Sequence, residues 1–243
     1  MSNKPYYWLY GKHSVEAAMK NSNREIKQFL LRKSNANLLS QYEAMIKKRN
    51  IECGVIENAV FDKKVGHNVS HQGVAIFTRV LDQPILSDIL LEQAKTIVML
   101  DQVTDPQNIG AIIRTSAAFG VAAIITGKDC SPAENGSLVK TAVGTFEKMP
   151  YVQVTNLRQT INQLKQNNFW SISVDKKGGN SVDIIRTFEK ILLIFGSEDR
   201  GIRAINIKAS DLSLGIDISC DAESLNVSNA VAICLHASYC KNN

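Results

Sequence analysis

The 243-residue sequence contains no hydrophobic run of membrane-spanning length. A helical span requires roughly 18 consecutive apolar residues, and no stretch of the chain reaches that length. The start of the chain, MSNKPYYWLYGKH, also lacks the apolar core of a secretory signal. We therefore expect a cytoplasmic protein with no membrane partner.

Cysteine is scarce as well, with five residues and no C-x-x-C pair. An odd number of cysteines without such spacing argues against a disulfide framework or a zinc ribbon and predicts buried, unreactive thiols. His67 and His71 lie four residues apart, a spacing that can hold a metal on a helix. Their segment, HNVSHQGVAIF, is instead typical of a loop entering a strand. We expect ordinary surface histidines and no bound metal.

Several catalytic signatures are missing too. The chain has neither the GxxxxGK[ST] phosphate loop nor the GxGxxG dinucleotide fingerprint. It also lacks the GxSxG nucleophile elbow and the HExxH zinc motif. These absences argue against an ATPase, an ordinary dinucleotide enzyme, an α/β-hydrolase and a zinc protease.

The net charge is +5, and the positive excess is confined to the first third of the chain. Residues 1–80 hold 13 Lys and Arg against 6 Asp and Glu, whereas residues 81–243 hold 15 against 17. A positive surface attracts polyanions, and the aromatic run YYWLY offers rings on which bases can stack. The alternatives are that the basic residues form a solubilising surface and that the aromatic run anchors the terminus to its own domain.

Hydrophobic periodicity divides the chain into a small N-terminal α/β unit (1–80), a connection (81–94) and a larger C-terminal domain (95–243). From Lys95 onward, strand-like runs alternate with helical segments, which predicts βαβ units and a parallel sheet covered by helices. The strands predicted in the N-terminal unit cover 26–33, 51–57 and 73–80, with a helix over 36–49. The last strand predicted in the C-terminal domain covers 212–219.

The final helical segment, NVSNAVAICLHASYC, has apolar residues almost all round. A helix of this kind must be covered on more than one side. The sheet of its own domain can cover one face and a second subunit another, which predicts a homodimer. Complete burial within one chain is the alternative.

Polar residues follow three strand-like runs, at Asn108–Arg114, Gly196–Gly201 and Ser224–Asn229. In an open α/β sheet, ligands collect at the carboxyl ends of the strands, so these segments predict one composite site. Singly, the segments have structural explanations: a salt bridge of the arginine, a charged surface turn and a helix cap.

Taken together, NIGAIIRTSAAFG, FGSEDRGI and SLNVSNAVAI resemble, in this order, the three motifs of the SpoU (TrmH) family of RNA 2′-O-ribose methyltransferases. The resemblance covers residues 95–241. The N-terminal unit, with LYGKHSVEAAM near its start and HQGVAI near its end, resembles the small RNA-binding domain of the ribosomal-RNA branch. The resemblance implies a SPOUT-type α/β fold with a deep trefoil knot, which binds S-adenosylmethionine and forms the homodimer contact.

The resemblance also assigns roles to single residues. Backbone groups around Gly196, Ile216 and Leu225 are expected to hold S-adenosylmethionine. Arg114 is expected to help activate the ribose 2′-hydroxyl. The residues expected to position RNA or maintain the site are Asn108, Glu198, Ser224 and Asn226.

Two residues depart from the family pattern. Asp217 stands where many relatives have Pro, and Asp199 stands where relatives often have Gly. We expect altered backbone in the loop flanking the adenine and in the turn of the second motif, without loss of a residue needed for activity.

The activity implied is methyl transfer from S-adenosylmethionine to the ribose 2′-hydroxyl of a guanosine in 23S ribosomal RNA, without a metal. The basic N-terminal unit favours the ribosomal branch, because transfer-RNA members usually lack it. Two alternatives stay open. One is a transfer-RNA ribose 2′-O-methyltransferase, and the other is a non-catalytic RNA-binding or ribosome-assembly protein on the same fold.

Overall fold

The computed structural model describes residues 4–176 and 178–240, which form two compact units. The first contains the described residues up to Asp82 together with Ala133–Lys148. The second contains Gln83–Pro132 and the described residues from Met149 onward. Within the described ranges, we find no helix with both the length and the apolar character needed to cross a bilayer.

Ten strands and eight α-helices lie within these ranges. The strands are β1 (Tyr6–Tyr10), β2 (Ile26–Arg32), β3 (Glu52–Ile56), β4 (Val74–Arg79), β5 (Thr96–Asp101), β6 (Ala123–Gly127), β7 (Tyr151–Val154), β8 (Trp170–Val174), β9 (Ile191–Gly196) and β10 (Leu212–Leu214). The α-helices are α1 (Lys12–Lys20), α2 (Leu39–Arg49), α3 (Asn58–Val65), α4 (Pro106–Ala118), α5 (Gly136–Thr141), α6 (Leu157–Gln166), α7 (Ala204–Ala209) and α8 (Val227–Tyr239).

The first unit is built on a mixed sheet with the strand order β1-β4-β2-β3. β2 and β3 are parallel, and the other neighbouring pairs are antiparallel. The structure has strands where the sequence predicts them, at β2, β3 and β4. The predicted helix over 36–49 begins as a 3₁₀ turn, Lys33–Leu38, before α2. The sequence pattern does not predict β1, α1 or α3, because these short segments carry little periodicity and depend on their sheet partners.

The second unit contains a six-stranded sheet with the order β10-β8-β9-β5-β6-β7, and every neighbouring pair is parallel. This confirms the predicted parallel sheet. The central strands β5 and β9, which include Ile97 and Leu193, are almost fully buried. Near-continuous apolar runs are typical of parallel strands covered on both faces. The trefoil knot stays a prediction.

The predicted strand over 212–219 is wrong in length, because β10 ends at Leu214. There the backbone bonds to a loop: the Gly215 N–H donates to the carbonyl oxygen of Asn180 at 2.9 Å. The chain from Gly215 to Asn226 forms no regular element and provides part of a cavity wall. The segment over 81–94, predicted as a connection with a short helix, contains a 3₁₀ turn at Leu86–Asp88, and its Leu86 and Ala94 are buried in the core of the second unit.

A buried arginine explains why residues 133–148 belong to the first unit rather than to the predicted C-terminal domain. The Arg24 side chain is 0% exposed and forms ion pairs with Glu134 and Glu147, the latter at 2.6 Å. The Tyr7 hydroxyl donates to the Glu134 carboxylate at 2.6 Å. Burial opposes the charge on Arg24, but the Glu147 hydrogen bond and the surrounding negative charges hold its pKa above the ordinary value.

The prediction of buried thiols is wrong for most cysteines. Cys53, Cys220 and Cys240 are exposed, and Cys130 is half-buried. Only Cys234 of the five is buried, and burial raises the pKa of its thiol to about 12. The exposed thiols lie on an edge strand, in a loop and after α8, positions whose exposure depends on tertiary packing.

His71 is not a surface residue, contrary to the prediction, whereas His67 is exposed. The His71 Nδ1 accepts a hydrogen bond from the Gly73 N–H at 3.0 Å, and its Nε2 lies 3.1 Å from the Asp62 carboxylate. Burial, together with the nearby Arg32, lowers the pKa of His71. The described ranges contain no group of three or more residues suited to hold a metal.

Replacing Arg24 by Met should destabilise the protein by about 3–5 kcal/mol, because Glu134 and Glu147 then stay buried without a cation. Urea unfolding followed by circular dichroism measures this loss. Lys20→Ala is the matched control: it removes an exposed ion pair with Glu16 and should cost less than about 0.5 kcal/mol. A loss below about 1 kcal/mol for Arg24→Met would contradict the proposed role of the network.

Candidate active site

Three distant segments of the second unit meet at one carboxylate. The Glu198 Oε1 accepts hydrogen bonds from the Asn108 side-chain amide at 3.1 Å and from that of Asn226 at 2.8 Å. It also lies 3.4 Å from the backbone nitrogen of Val227, which donates to it. The Asn226 amide donates in addition to the Asn108 Oδ1 at 2.9 Å. The predicted convergence of Asn108, Glu198 and Asn226 is therefore present in the structure.

Local structure fixes the two asparagines at the starts of helices. α4 begins at Pro106, and the Asp105 carboxylate accepts from the N–H groups of Gln107 and Asn108, at 3.0 and 3.3 Å. Asn226 caps α8, because its Oδ1 accepts from the Ser228 N–H at 2.9 Å. Asn226 thus combines the capping role with a contact to the other two segments.

Asp101 anchors the loop that carries Glu198, although the sequence reasoning missed it. It lies at the end of β5 and is 0% exposed. Its carboxylate accepts from the Arg203 N–H at 2.9 Å, from the Arg203 Nε at 2.7 Å and from the Asn206 amide at 2.8 Å. The signal was an acidic residue ending the apolar run TIVMLD, where a buried carboxylate needs nearby donors.

A cavity of about 200 Å³ adjoins this cluster. Its lining includes five of the predicted site residues, namely Gly196, Glu198, Ile216, Ser224 and Leu225. At Gly196 a side chain is impossible, because a Cβ would overlap the backbone of Gly201 and Ile202. Glycine there allows two backbone segments, and any ligand beside them, to approach closely.

The end of β8 contributes a fourth group that the sequence reasoning missed. Val174, Asp175 and Lys176 all line the cavity. The signal was available, because FWSISVD is a predicted strand and its carboxyl end points to the same edge of a parallel sheet as the other three.

Arg114 lies apart from the cavity lining. It is on α4, six residues after Asn108, which corresponds to about 9 Å along the helix axis. Its side chain is exposed. Its guanidinium forms no ion pair with the described carboxylates, so the alternative of an ordinary salt bridge has no support in residues 4–176 and 178–240.

The fold and the site together define an α/β protein with a cavity at the carboxyl ends of parallel strands, the place where open α/β sheets collect their ligands. The model of the SpoU rRNA Methylase family matches residues 95–236, more than half of the chain. A second model, for RNA 2′-O ribose methyltransferase substrate binding, matches residues 8–84. The chain belongs to the SpoU rRNA methylase family.

Relatives extend over nearly the whole chain. The 23S rRNA (guanosine-2′-O-)-methyltransferase RlmB of Xylella fastidiosa (strain 9a5c) is 30% identical over 96% of each chain. The structure is similar to the SpoU methyltransferase AviRb from Streptomyces viridochromogenes in complex with AdoMet, with a TM-score of 0.83 and 18% identity over 98% of this chain and 90% of that one. An A. aeolicus TrmH/SpoU tRNA modifying enzyme matches 62% of this chain and 76% of its own, with a TM-score of 0.54 and 24% identity.

Replacing Glu198 by Ala should loosen the start of α8, because the Asn108 and Asn226 amides lose their shared acceptor. A loss of about 1–2 kcal/mol in local stability predicts roughly 5- to 30-fold faster amide exchange at the start of α8. Hydrogen–deuterium exchange with peptide-level readout measures it. Asp199→Ala, an exposed neighbour, should leave that exchange unchanged. Equal exchange in both variants would show that Glu198 does not hold the segment.

Proposed function

We propose that this protein transfers a methyl group from S-adenosylmethionine to the ribose 2′-hydroxyl of a guanosine in 23S ribosomal RNA. The convergence of Asn108, Glu198 and Asn226 beside the cavity at Gly196 carries the proposal. Membership of the SpoU family and the substrate named for the Xylella fastidiosa relative support it.

The cavity fits S-adenosylmethionine in its chemistry. Val174, Ile216 and Leu225 give it apolar walls that suit an adenine ring. The carboxylates of Asp175 and Glu198 lie in the same lining and complement a cofactor with a positively charged sulfonium and ammonium. Backbone groups around Gly196, Ile216 and Leu225 would hold the cofactor.

The residues of this chain would act mainly by positioning. S-adenosylmethionine supplies a methyl group already activated by its sulfonium. The protein would hold the ribose oxygen near that methyl group, and such positioning can lower a barrier by several kcal/mol. The Asn108–Glu198–Asn226 cluster and Ser224 fix the cavity rim. Arg114, exposed on α4, would contact the RNA and help activate the hydroxyl. A guanidinium already carries its full set of protons and has no acceptor site, so a neighbouring RNA phosphate would share the uptake of the proton.

The N-terminal unit supports a ribosomal rather than a transfer-RNA substrate. The substrate-binding model matches residues 8–84, and the Xylella fastidiosa relative matches both units. The tRNA modifying enzyme matches only 62% of the chain. We assign RNA binding to the first unit and catalysis to the second.

Family membership also leads us to propose the trefoil knot, a cytoplasmic location and a homodimer. Apolar side chains left exposed on α8 support the pairing: Ile233 is 39% and Tyr239 is 44% exposed. Phe119 lies edge-on to Tyr239, with ring centroids 5.6 Å apart, and extends the same surface. Covering such a surface releases water from apolar area.

In cells lacking the protein, mass-spectrometric mapping should show the loss of one ribose-methylated guanosine in 23S ribosomal RNA. The wild-type chain should restore it. Arg114→Ala should lower methylation by about 100-fold or more, as expected for a residue that assists proton transfer. Arg158→Ala, which removes an exposed arginine on α6, is the matched control and should restore methylation fully.

Calorimetry with the purified proteins separates the alternatives. The wild-type chain and Arg114→Ala should bind S-adenosylmethionine with affinities within about a factor of two, because Arg114 does not line the cavity. Loss of cofactor affinity in Arg114→Ala would contradict its proposed role. No binding to the wild-type chain would favour the non-catalytic alternative, and a methylation lost from transfer RNA instead would favour the transfer-RNA enzyme.

Sedimentation should report twice the mass of a single chain, and Ile233→Glu should shift the protein toward the monomer, because a carboxylate is costly to bury in an apolar contact. Ile205→Glu, which changes an exposed isoleucine on α7, serves as the control and should leave the mass unchanged. A single-chain mass for the wild type at micromolar concentration would refute the homodimer.

A further inference from the structure

The first unit contains a polar cleft of about 580 Å³, where the start of α1 meets the loop before β4. The cleft joins the two segments that carry the resemblance of this unit, LYGKHSVEAAM and HQGVAI. Lys12 comes from the first segment, and Gln72 and Gly73 come from the second. The Lys12 backbone N–H donates to the Gln72 Oε1 at 2.9 Å, across a separation of 60 residues.

Hydrogen bonds and an ion pair support the loop side of the cleft. Buried His71 links the Gly73 N–H to the Asp62 carboxylate, as described above. Arg32 also holds Asp62, with its Nε donating to Oδ1 at 2.8 Å. Gly73 has φ of 75°, a conformation that favours glycine, and a Cβ there would overlap the Asn35 side chain. The polar groups of His71, Asp62 and Arg32 thus bond to other groups of the protein.

The groups facing the cleft, in contrast, have no such partner. Within the described chain, the Lys12 ammonium, the His67 ring and the Ser70 hydroxyl form neither a hydrogen bond nor an ion pair. Lys140 does not line the cleft but lies at its edge, since a Cβ at Gly11 would be 3.3 Å from the Lys140 Cγ and 3.5 Å from the Gln72 Oε1 of the lining. The Lys140 ammonium has no carboxylate partner in the described chain either. Among the described residues, the cleft therefore offers several free donors and the uncompensated charge of Lys12, with the uncompensated charge of Lys140 beside it.

The four arginines of the first 80 residues differ from these lysines, because groups of the protein hold each of them; Arg79, for example, pairs with Glu25 at 3.1 Å. Arg24 pairs with buried carboxylates, and Arg32 with Asp62. Arg49 donates to the carbonyl oxygens of Ala18 and Met19 at the end of α1, at 3.2 and 2.9 Å. Much of the positive excess of the first 80 residues thus maintains the fold. The charge left for a ligand includes the lysines at the cleft.

We propose that this cleft binds the phosphate backbone of the substrate RNA, with Lys12 and Lys140 neutralising phosphates and His67 and Ser70 donating hydrogen bonds. The proposal rests on the function proposed above and names the site by which the first unit holds its substrate. Phosphate oxygens accept from ammonium, hydroxyl and imidazole donors, and these contacts dominate RNA affinity. The hydrogen bonds of His71 and Asp62 support the loop that carries the donors, and a loop already supported in the free protein reduces the ordering cost of binding.

The test is the affinity of the full chain for an unmodified transcript of 23S ribosomal RNA, measured by filter binding at several salt concentrations. The double variant Lys12→Ala/Lys140→Ala should bind about tenfold or more weakly, and its affinity should depend less steeply on salt. Each lost phosphate contact lowers the slope by roughly 0.7–0.9. Lys12→Arg/Lys140→Arg keeps both charges and should bind nearly as the wild type.

Lys48→Ala provides the matched control, since Lys48 is an exposed lysine of the same unit on α2. It should change affinity by less than about twofold, as expected for a lysine without a phosphate contact. An unchanged salt slope in the double variant, or an equal loss in Lys48→Ala, would overturn the proposal.

Calorimetry with S-adenosylmethionine distinguishes failure of the cleft proposal from failure of the proposed function. Normal cofactor binding with unaltered RNA affinity in the double variant refutes the cleft alone, whereas absence of cofactor binding in the wild type refutes the proposed function itself.

Discussion

The Glu198 carboxylate constrains the whole site, because it accepts hydrogen bonds from two segments that lie far apart in the sequence. Asn108 lies 90 residues before it and Asn226 lies 28 residues after it, yet both donate to the same oxygen. Glu198 is exposed, so each bond contributes modestly in water. Together, these bonds fix the positions of the cavity wall at Gly196 and of the start of α8 relative to α4. Each asparagine is itself fixed at the start of a helix, Asn108 by its N–H bond to Asp105 and Asn226 by its cap on α8.

The parallel sheet and the convergence of the three segments could be predicted from sequence, because both follow from local runs of apolar residues and from the edge at which parallel strands end. The ionic network of Arg24 could not, because its glutamates lie 110 and 123 residues away in the chain. The burial of His71 could not either, because it depends on tertiary packing rather than on a local pattern. Asp175 could have been found, since it follows a predicted strand. Arg114 was predicted by resemblance alone, and its exposed position on α4 adds no independent support. β10 was predicted too long because the apolar pattern continues where hydrogen bonding to the sheet stops.

The first unit shows why a count of basic residues gives an incomplete picture of a surface. Its arginines have planar side chains with several donors, which suit fixed carboxylates and rows of carbonyl oxygens. Lysine carries a compact charge on a flexible stem and is left at the surface. The composition therefore overestimates the charge available to a partner, and the contacts of each side chain are needed to correct it.

The return of Ala133–Lys148 to the first unit has a consequence for how the protein can be divided or recombined. The chain enters the second unit, returns to the first, and enters the second again, so neither unit is a continuous stretch of sequence. A fragment starting near Lys95 would carry the glutamates of the ionic network without their arginine, and a fragment ending near Val80 would carry the arginine alone. Gene fusions that exchange the N-terminal third between relatives must therefore exchange Ala133–Lys148 with it. Otherwise the arginine of one protein is combined with the glutamates of another.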